Sequence, residues 1–157
     1  MDIFEEVSDF REAIDTAKED GKFVHISPFD KFPTECCQYA SDLLAQYLFE
    51  KGIKTEQVNG VLKFDETWHH VWLLTEDGTV IDITGDQFIG KISQLNEKPK
   101  SVYIGKEGEL QKLFCLKKIT QANTNFINEN EFTCFNKQPN PYQKRLKEIY
   151  EIICQYI

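Results

Sequence analysis

The spacing of apolar residues predicts helices towards both ends of the chain. From residue 2 to about residue 19, apolar side chains recur every three or four positions, as they do on one face of an α-helix. A second helix is expected from Thr34, which can cap its start, to about Lys51, where Gly52 would end it. A third helix is expected over 142–157, and its apolar face consists of Leu146, Ile149, Tyr150, Ile153 and Tyr156.

The middle of the chain has a period of two, which is typical of β-strands. Apolar and polar residues alternate over 58–64, and two further strands are expected at about 68–75 and 79–84. The residues between these two strands, Glu76-Asp77-Gly78, are a strong turn signal. The two strands are therefore predicted to form a hairpin.

Other segments have weaker patterns. Residues 23–26 are interpreted as a short strand or an extended link, and residues 101–104 as a further strand. Residues 110–119 fit a helix or a strand, and an Asn-rich segment contains a short apolar stretch at 132–135. Because no internal repeat or long linker divides the 157 residues, a single domain is expected.

The charge balance argues against two classes of partner. The chain has 18 basic and 26 acidic residues, a net charge of −8, and no basic stripe along its sequence. Nucleic acids and anionic membranes are therefore not expected as partners. No apolar run approaches the roughly 20 residues of a membrane span. The N-terminus lacks the apolar core of a signal peptide, so a cytoplasmic location is predicted, while secretion without a signal peptide stays open.

The cysteines indicate reduced thiols. There are five, an odd number, and the adjacent Cys36 and Cys37 would form a strained ring if they were bonded to each other. Neither a Cys-x-x-Cys nor a His-x-x-x-His pair occurs in the chain. No metal or other cofactor is therefore predicted.

Three short segments contain the residue types of an activated cysteine nucleophile. Cys36-Cys37 begins the second predicted helix, where unpaired backbone N–H groups favour a thiolate and can receive an oxyanion. His70 lies on the first strand of the predicted hairpin and Asp82 on the second. Each residue alone is better explained as structural, but a thiol, a base and a group that orients the base are what such a nucleophile requires.

The connection of the hairpin decides whether His70 and Asp82 can meet. A five-residue connection pairs His70 with Asp82, and a three-residue connection pairs Asp82 with Trp72 and leaves His70 one diagonal step away. In either case the side chains of His70 and Asp82 share a face of the sheet. His69 then points to the opposite face and cannot replace His70 as the base.

These motifs resemble those of the transglutaminase-like branch of the papain-like cysteine hydrolases, and more narrowly those of small bacterial proteins with that fold. The resemblance covers about residues 30–90 and consists of the order Cys–His–Asp with Phe32-Pro33, Ala40-Ser41, His70-Val71-Trp72 and Asp82-Ile83-Thr84. It implies an α+β papain-like domain in which the nucleophile helix packs on an antiparallel sheet, between N-terminal helices and a C-terminal amphipathic helix. It also implies that Cys37 is the nucleophile, His70 the base and Asp82 the orienting carboxylate.

The doublet leaves two candidates for the nucleophile. Thr34 and Glu35 stand where a glycine often precedes the nucleophile of the family, and the family's Asp-Pro-Thr is Asp-Ile-Thr here. The commoner spacing to Ala40 would select Cys36. The Phe-Pro and Ala-Ser landmarks and the face of the predicted helix select Cys37, which is preferred.

Two further residues are candidates for weaker roles. Gln87, five residues after Asp82, can donate to a substrate or an oxyanion, or it can cap its own loop. Trp72 shares the face of His70 and can form a wall of the cleft, although packing in the core is the expected role.

The expected activity is attack of the cysteine on an amide carbonyl of a protein or peptide, through a thioester intermediate. Protease, amidase and glutamine deamidase or transglutaminase-like reactions all fit this chemistry. The alternative is a catalytically idle papain-like binding module, or an effector- or toxin-type protein that acts by protein–protein interaction. A homodimer through the apolar face of the C-terminal helix is also considered.

Overall fold

An antiparallel sheet forms the centre of the fold. Its strands in chain order are β1 (Thr55–Leu62), β2 (Asp65–Thr75), β3 (Val80–Asp82), β4 (Tyr103–Gly105) and β5 (Phe114–Gln121). The computed structural model describes residues 1–126 and 138–157, and within these ranges the five strands lie in the order β4-β3-β2-β1-β5. The helices are α1 (Ile3–Glu19), α2 (Cys37–Glu50), α3 (Glu109–Lys112) and α4 (Pro141–Cys154). The predicted α+β class is confirmed.

The sheet separates two hydrophobic clusters. Neighbouring residues of a strand point to opposite faces, so Leu73 of β2 belongs to one cluster and Trp72 to the other. The cluster around Leu73 contains the buried faces of α1, α2 and α4. The cluster around Trp72 is smaller and includes the rings of Phe88 and Phe114. His70 lies two residues before Trp72 on the same strand and therefore belongs to this aromatic side.

The hairpin of β2 and β3 has the shorter of the two predicted connections. Leu73 pairs with Ile81 and Leu74 pairs with Val80, which is the register of a three-residue connection. The N–H of Thr75 donates to the carbonyl of Thr79 at 3.0 Å and closes the turn. The prediction that His70 and Asp82 share a face is confirmed.

The start of α2 differs from the prediction. The N–H of Thr34 donates to the carbonyl of Lys31, and Glu35 has a φ of +60°, so both residues belong to a turn. Thr34 is therefore not the cap; Cys36 occupies that position without a side-chain capping bond, and Cys37 is the first helical residue. The end of α2 is as predicted, because Gly52, at a φ of +84°, donates its N–H to the carbonyl of Phe49.

Two predictions about strands are wrong in detail, and one that was left open is now decided. Residues 23–26 form turns, with the N–H of Ile26 bonded to the carbonyl of Phe23, and not a strand. The strand predicted from the alternation over 58–64 is too long at its end, since β1 ends at Leu62 and Phe64 is 62% exposed. The segment 110–119 contains both alternatives, a turn of α3 followed by β5. The apolar stretch at 132–135 lies outside the described residues.

The C-terminal helix α4 uses its apolar face within the chain. Leu146, Ile149 and Ile153 are fully buried in the larger cluster, and α4 contacts both α1 and α2. Three residues of the face considered for a homodimer are thus covered by the chain's own core, while Tyr150 and Tyr156 of that face are partly exposed, and the homodimer stays a prediction. In residues 1–126 and 138–157, none of the helices combines the length and the apolar character that crossing a membrane requires.

Candidate active site

His70 and Asp82 form a buried pair. Their relative exposures are 0% and 1%, and Nε2 of His70 lies 2.7 Å from Oδ2 of Asp82. His70 belongs to β2 and Asp82 is the last residue of β3. The contact follows from the register of the hairpin, because side chains one diagonal step apart on one face are within reach of each other.

Two further donors hold the carboxylate of Asp82. The backbone N–H of Thr84 donates to Oδ1 at 3.1 Å, and the side-chain amide of Gln111 donates to Oδ2 at 2.8 Å. The amide oxygen of Gln111 accepts in turn from the N–H of Gly108 at 3.2 Å. A buried carboxylate needs such partners, and here they also fix its orientation towards His70.

Three aromatic rings surround the imidazole. The ring centroids of Trp72, Phe88 and Phe114 lie 5.5, 5.0 and 5.5 Å from that of His70, and all three rings are buried. Trp72 therefore packs in the core, as expected from the sequence. The rings restrict rotation of the imidazole and keep water from its sides, which strengthens its attraction to Asp82.

Cys37 brings a thiol to this pair. It is the first residue of α2, it is partly exposed, and it lies near enough to the imidazole of His70 to contribute to raising the pKa of that group. Because Nε2 engages Asp82, Nδ1 is the nitrogen that remains for the thiol. The N–H groups of Cys37 and Gln38 belong to the first turn of α2 and have no acceptor inside the helix. A thiol, an imidazole, a carboxylate and free N–H donors thus meet in one place.

The two buried groups favour their charged forms. Burial alone would lower the pKa of His70, but the charge and hydrogen bond of Asp82, with further contributions from Cys37, raise it from 6.5 to about 10. Burial alone would raise the pKa of Asp82, but the charge and hydrogen bond of His70 hold it below 3.8, with help from Thr84 and Gln111. The imidazolium–carboxylate form of the pair is therefore favoured at neutral pH.

Cys36 has a different environment from its neighbour. Its side chain is fully buried, and its Sγ lies 3.2 Å from each of the carbonyl oxygens of Pro28 and Thr34, between which its single S–H proton can be shared. Burial, followed by the charges of Cys37 and Asp30, raises the pKa of Cys36 to about 12. The thiol of Cys36 is thus held in the protonated form and directed at main-chain oxygens, whereas Cys37 acts on the pKa of the imidazole.

Gln87 lies beside Nδ1, the nitrogen of the imidazole that does not face Asp82. Its Nε2 donates to the carbonyl of Thr84 at 3.0 Å and lies 3.4 Å from Nδ1 of His70. Both roles considered for Gln87 are compatible with this position, since it braces its loop and places an N–H group near the thiol side of the site. His69 is exposed and points away from the site, as predicted.

A small cavity reaches the carboxylate but not the thiol. Its volume is about 100 Å³, and its lining includes Asp82, Gly85, Tyr103 and Gln111 but neither Cys37 nor His70. A substrate would therefore approach from the partly exposed thiol and not through this cavity. Among the residues that the structure describes, no group of three or more His, Cys, Asp or Glu side chains is arranged to hold a metal ion.

Comparisons of the chain with models of protein families, with curated proteins and with solved structures gave no match. The function is therefore inferred from the geometry of the site and from the resemblance of its motifs.

Some residues of the site have no signal in the sequence. Gln111 follows Asp82 by 29 positions and belongs to a one-turn helix, so no local pattern places it against the carboxylate. Phe88 and Phe114 are ordinary apolar residues in the sequence, and only the fold brings them to the imidazole. Gln87 could be found because it follows Asp82 closely in the same loop.

Proposed function

We propose that this protein is a cysteine-dependent hydrolase or acyltransferase that acts on an amide of a protein or peptide. Cys37 is the nucleophile, His70 the general base and acid, and Asp82 the group that orients the imidazole. The observation that carries the proposal is the buried imidazole, bonded to Asp82 through Nε2, with a pKa that Asp82 and Cys37 raise together. This is the arrangement that activates a thiol as a nucleophile.

The reaction starts from a thiolate–imidazolium pair, in which the proton of the Cys37 thiol has passed to Nδ1 of His70. Nε2 of the imidazolium donates its own proton to Asp82, and Nδ1 holds the proton that came from Sγ. The resulting imidazolium is stabilised by Asp82, consistent with the raised pKa of His70. The thiolate then forms a bond to the carbonyl carbon of the amide.

The second step breaks the amide bond. The oxyanion of the tetrahedral intermediate is placed to accept from the N–H groups of Cys37 and Gln38, with the side-chain amide of Gln87 as a further donor. When the C–N bond breaks, the proton on Nδ1 of His70 passes to the leaving nitrogen, and a thioester remains on Cys37.

The third step decides the reaction class. His70 takes a proton from a water molecule or an amine, and this nucleophile attacks the thioester carbonyl. When the C–S bond breaks, the proton on His70 can return to the sulfur of Cys37. Water gives hydrolysis or deamidation and an amine gives acyl transfer. The papain-like, transglutaminase-like family implied by the motifs includes such chemistry. The packing of α2 against a sheet that carries His70 and Asp82 supports this family as part of the proposal.

The test is the rate of iodoacetamide alkylation at each cysteine between pH 5 and pH 9, mapped by peptide mass spectrometry. We expect Cys37 to react at least tenfold faster than the exposed Cys115 at pH 6.5, because the imidazolium of His70 favours its thiolate. The substitution His70→Ala should abolish this difference and leave the rate at Cys115 unchanged.

The opposite outcome supports the alternative function. If Cys37 reacts no faster than Cys115 and His70→Ala changes nothing, the protein is better described as a binding module on this fold. Fast alkylation at Cys36 instead would keep the mechanism but move the nucleophile by one residue.

A further inference from the structure

A buried carboxylate lies five residues after the proposed nucleophile on the same helix. Asp42 of α2 is 2% exposed, and its Oδ2 accepts from the hydroxyl of Tyr142 at 2.5 Å and from Nε2 of Gln38 at 3.1 Å. The side-chain amide of Gln57 donates to Oδ1 at 2.9 Å, and that of Asn125 lies 3.4 Å from Oδ2. All four donors are neutral, so hydrogen bonds rather than a cation satisfy this charge.

The bonds of Asp42 connect three elements at the first turn of α2. Gln38, which directly follows Cys37, donates to Asp42 and also to the amide oxygen of Gln57 on β1 at 2.9 Å. Tyr142 is the second residue of α4. Its hydroxyl stays protonated and able to donate, because burial and then the charge of Asp42 raise its pKa. The turn that contains the nucleophile is thus tied to β1 on one side and to α4 on the other.

We propose that Asp42 and Tyr142 are positioning residues for Cys37, which couple the docking of α4 to the geometry of the nucleophile. The inference rests on the proposed function. Asp42 holds the side chain of Gln38, and Tyr142 holds Asp42. The N–H of Gln38 is one of the proposed oxyanion donors, and small displacements of such groups have large effects on rate. Loss of the Tyr142 hydroxyl therefore loosens the turn from which both Cys37 and this N–H act.

Two other tyrosines, one in α4 and one just after it, serve as controls. The hydroxyl of Tyr150 donates to Glu50 at 2.7 Å, and that of Tyr156, just beyond α4, donates to Asp20 at 2.7 Å. Both are tyrosine–carboxylate bonds, but Glu50 and Asp20 are exposed whereas Asp42 is buried. Urea unfolding of each variant therefore separates a loss of stability from a loss of reactivity at Cys37. Glu50 is the last residue of α2, at the opposite end from Cys37, and Asp20 caps the end of α1. Loss of either hydroxyl should affect the attachment of α4 without reaching the nucleophile.

The experiment compares the alkylation rate of Cys37 at pH 6.5 in Tyr142→Phe, Tyr150→Phe and Tyr156→Phe, with urea unfolding of each variant. We expect Tyr142→Phe to slow alkylation of Cys37 by about fivefold or more. The other two variants should stay within about twofold of the wild type, because their bonds lie away from the nucleophile turn. Gln38→Leu, which leaves Tyr142 in place, should slow alkylation as Tyr142→Phe does.

The variant His70→Ala, measured in parallel, separates the two proposals. If His70→Ala does not slow alkylation of Cys37, the proposed function fails. If His70→Ala slows it but Tyr142→Phe and Gln38→Leu behave like Tyr150→Phe, the positioning role of Asp42 and Tyr142 is refuted while the proposed function stands. Should Tyr142→Phe fail to fold, Gln38→Leu decides by the same comparison.

Discussion

Nε2 of His70 lies 2.7 Å from Oδ2 of Asp82, and the two side chains are almost completely removed from solvent. Burying the two charges costs desolvation free energy. The attraction between them offsets that cost only when both groups are charged. The pair should therefore make the stability of the protein depend on pH in a predictable way.

The free energy of unfolding should fall as the pH rises through the alkaline range. The pKa of His70 is raised from 6.5 to about 10, so the folded protein keeps a proton that the unfolded chain releases above about pH 6.5. The contribution of His70 is complete below pH 6.5 and is lost as the pH approaches 10. The pKa of Asp82 is lowered from 3.8, so its contribution is present above that value and is lost as the pH falls.

Urea unfolding of the wild type and of Asp82→Asn between pH 5 and pH 10 tests this dependence. At pH 6 we expect the variant to be less stable by roughly 3–5 kcal/mol, since it leaves one member of a buried pair without its partner. The difference should shrink towards pH 10. If the difference in unfolding free energy between the wild type and Asp82→Asn is the same at every pH, His70 is not charged in the folded protein.

Removal of the Cys36 thiol should mainly lower stability, whereas removal of the Cys37 thiol should mainly abolish fast alkylation. Cys36→Ala deletes a fully buried group and should cost about 1 kcal/mol or more of stability, while fast alkylation at Cys37 is retained. Cys37→Ala changes a partly exposed position and should cost less than about 1 kcal/mol, but it removes the fast-reacting thiol. Urea unfolding measures the loss of stability, and iodoacetamide labelling at pH 6.5 measures the reactivity. If fast alkylation is lost in Cys36→Ala but kept in Cys37→Ala, Cys36 is the nucleophile and not Cys37.

Gln111→Leu should weaken the site through Asp82. The substitution leaves Oδ2 of Asp82 with one donor fewer in a buried place, which costs about 1–3 kcal/mol of stability. Because Gln111 helps to lower the pKa of Asp82, that pKa should rise in the variant. Urea unfolding and a carbon NMR titration of the Asp82 carboxyl check the two expectations.

Gln94→Leu is the control for this substitution. Gln94 is exposed, and the same change there should alter stability by less than about 0.5 kcal/mol. Equal effects of the two variants would show that the Gln111 amide contributes nothing specific to the carboxylate.

The facing pair His70 and Asp82 was predictable because it depends on local geometry. A turn signal, a period of two and the fixed alternation of a strand are enough to place both side chains on one face, whichever of the two connections forms. The preference for Cys37 also followed from the helical spacing.

The remaining parts depend on contacts that are distant along the chain. The start of α2 is shifted because main-chain bonds in the preceding turn prevail over the capping preference of Thr34. Gln111 and Asp42 acquire their roles from partners 29 and 100 positions away, which no periodicity reports.

Gly60→Ala should disturb the aromatic packing beneath the imidazole. Gly60 pairs with His70 across β1 and β2. A Cβ at this position would lie 2.9 Å from Cβ of Phe114 and 3.3 Å from Cη2 of Trp72, and both of those rings contact the imidazole. The Cβ of Phe114 is fixed to the backbone of β5 and cannot withdraw as the end of a flexible side chain can. The variant should therefore lose about 1–3 kcal/mol of stability, and Cys37 should be alkylated more slowly.

Asn59→Ala is the matched control for Gly60→Ala. It introduces the same side chain one position earlier in β1, where it points to the opposite face of the sheet. Urea unfolding, near-UV circular dichroism of the tryptophans and the alkylation rate of Cys37 distinguish the two variants. If Gly60→Ala matches Asn59→Ala in all three, the rings are not held tightly against the strand. The orientation of His70 would then depend on its polar neighbours, chiefly Asp82, and not on the rings.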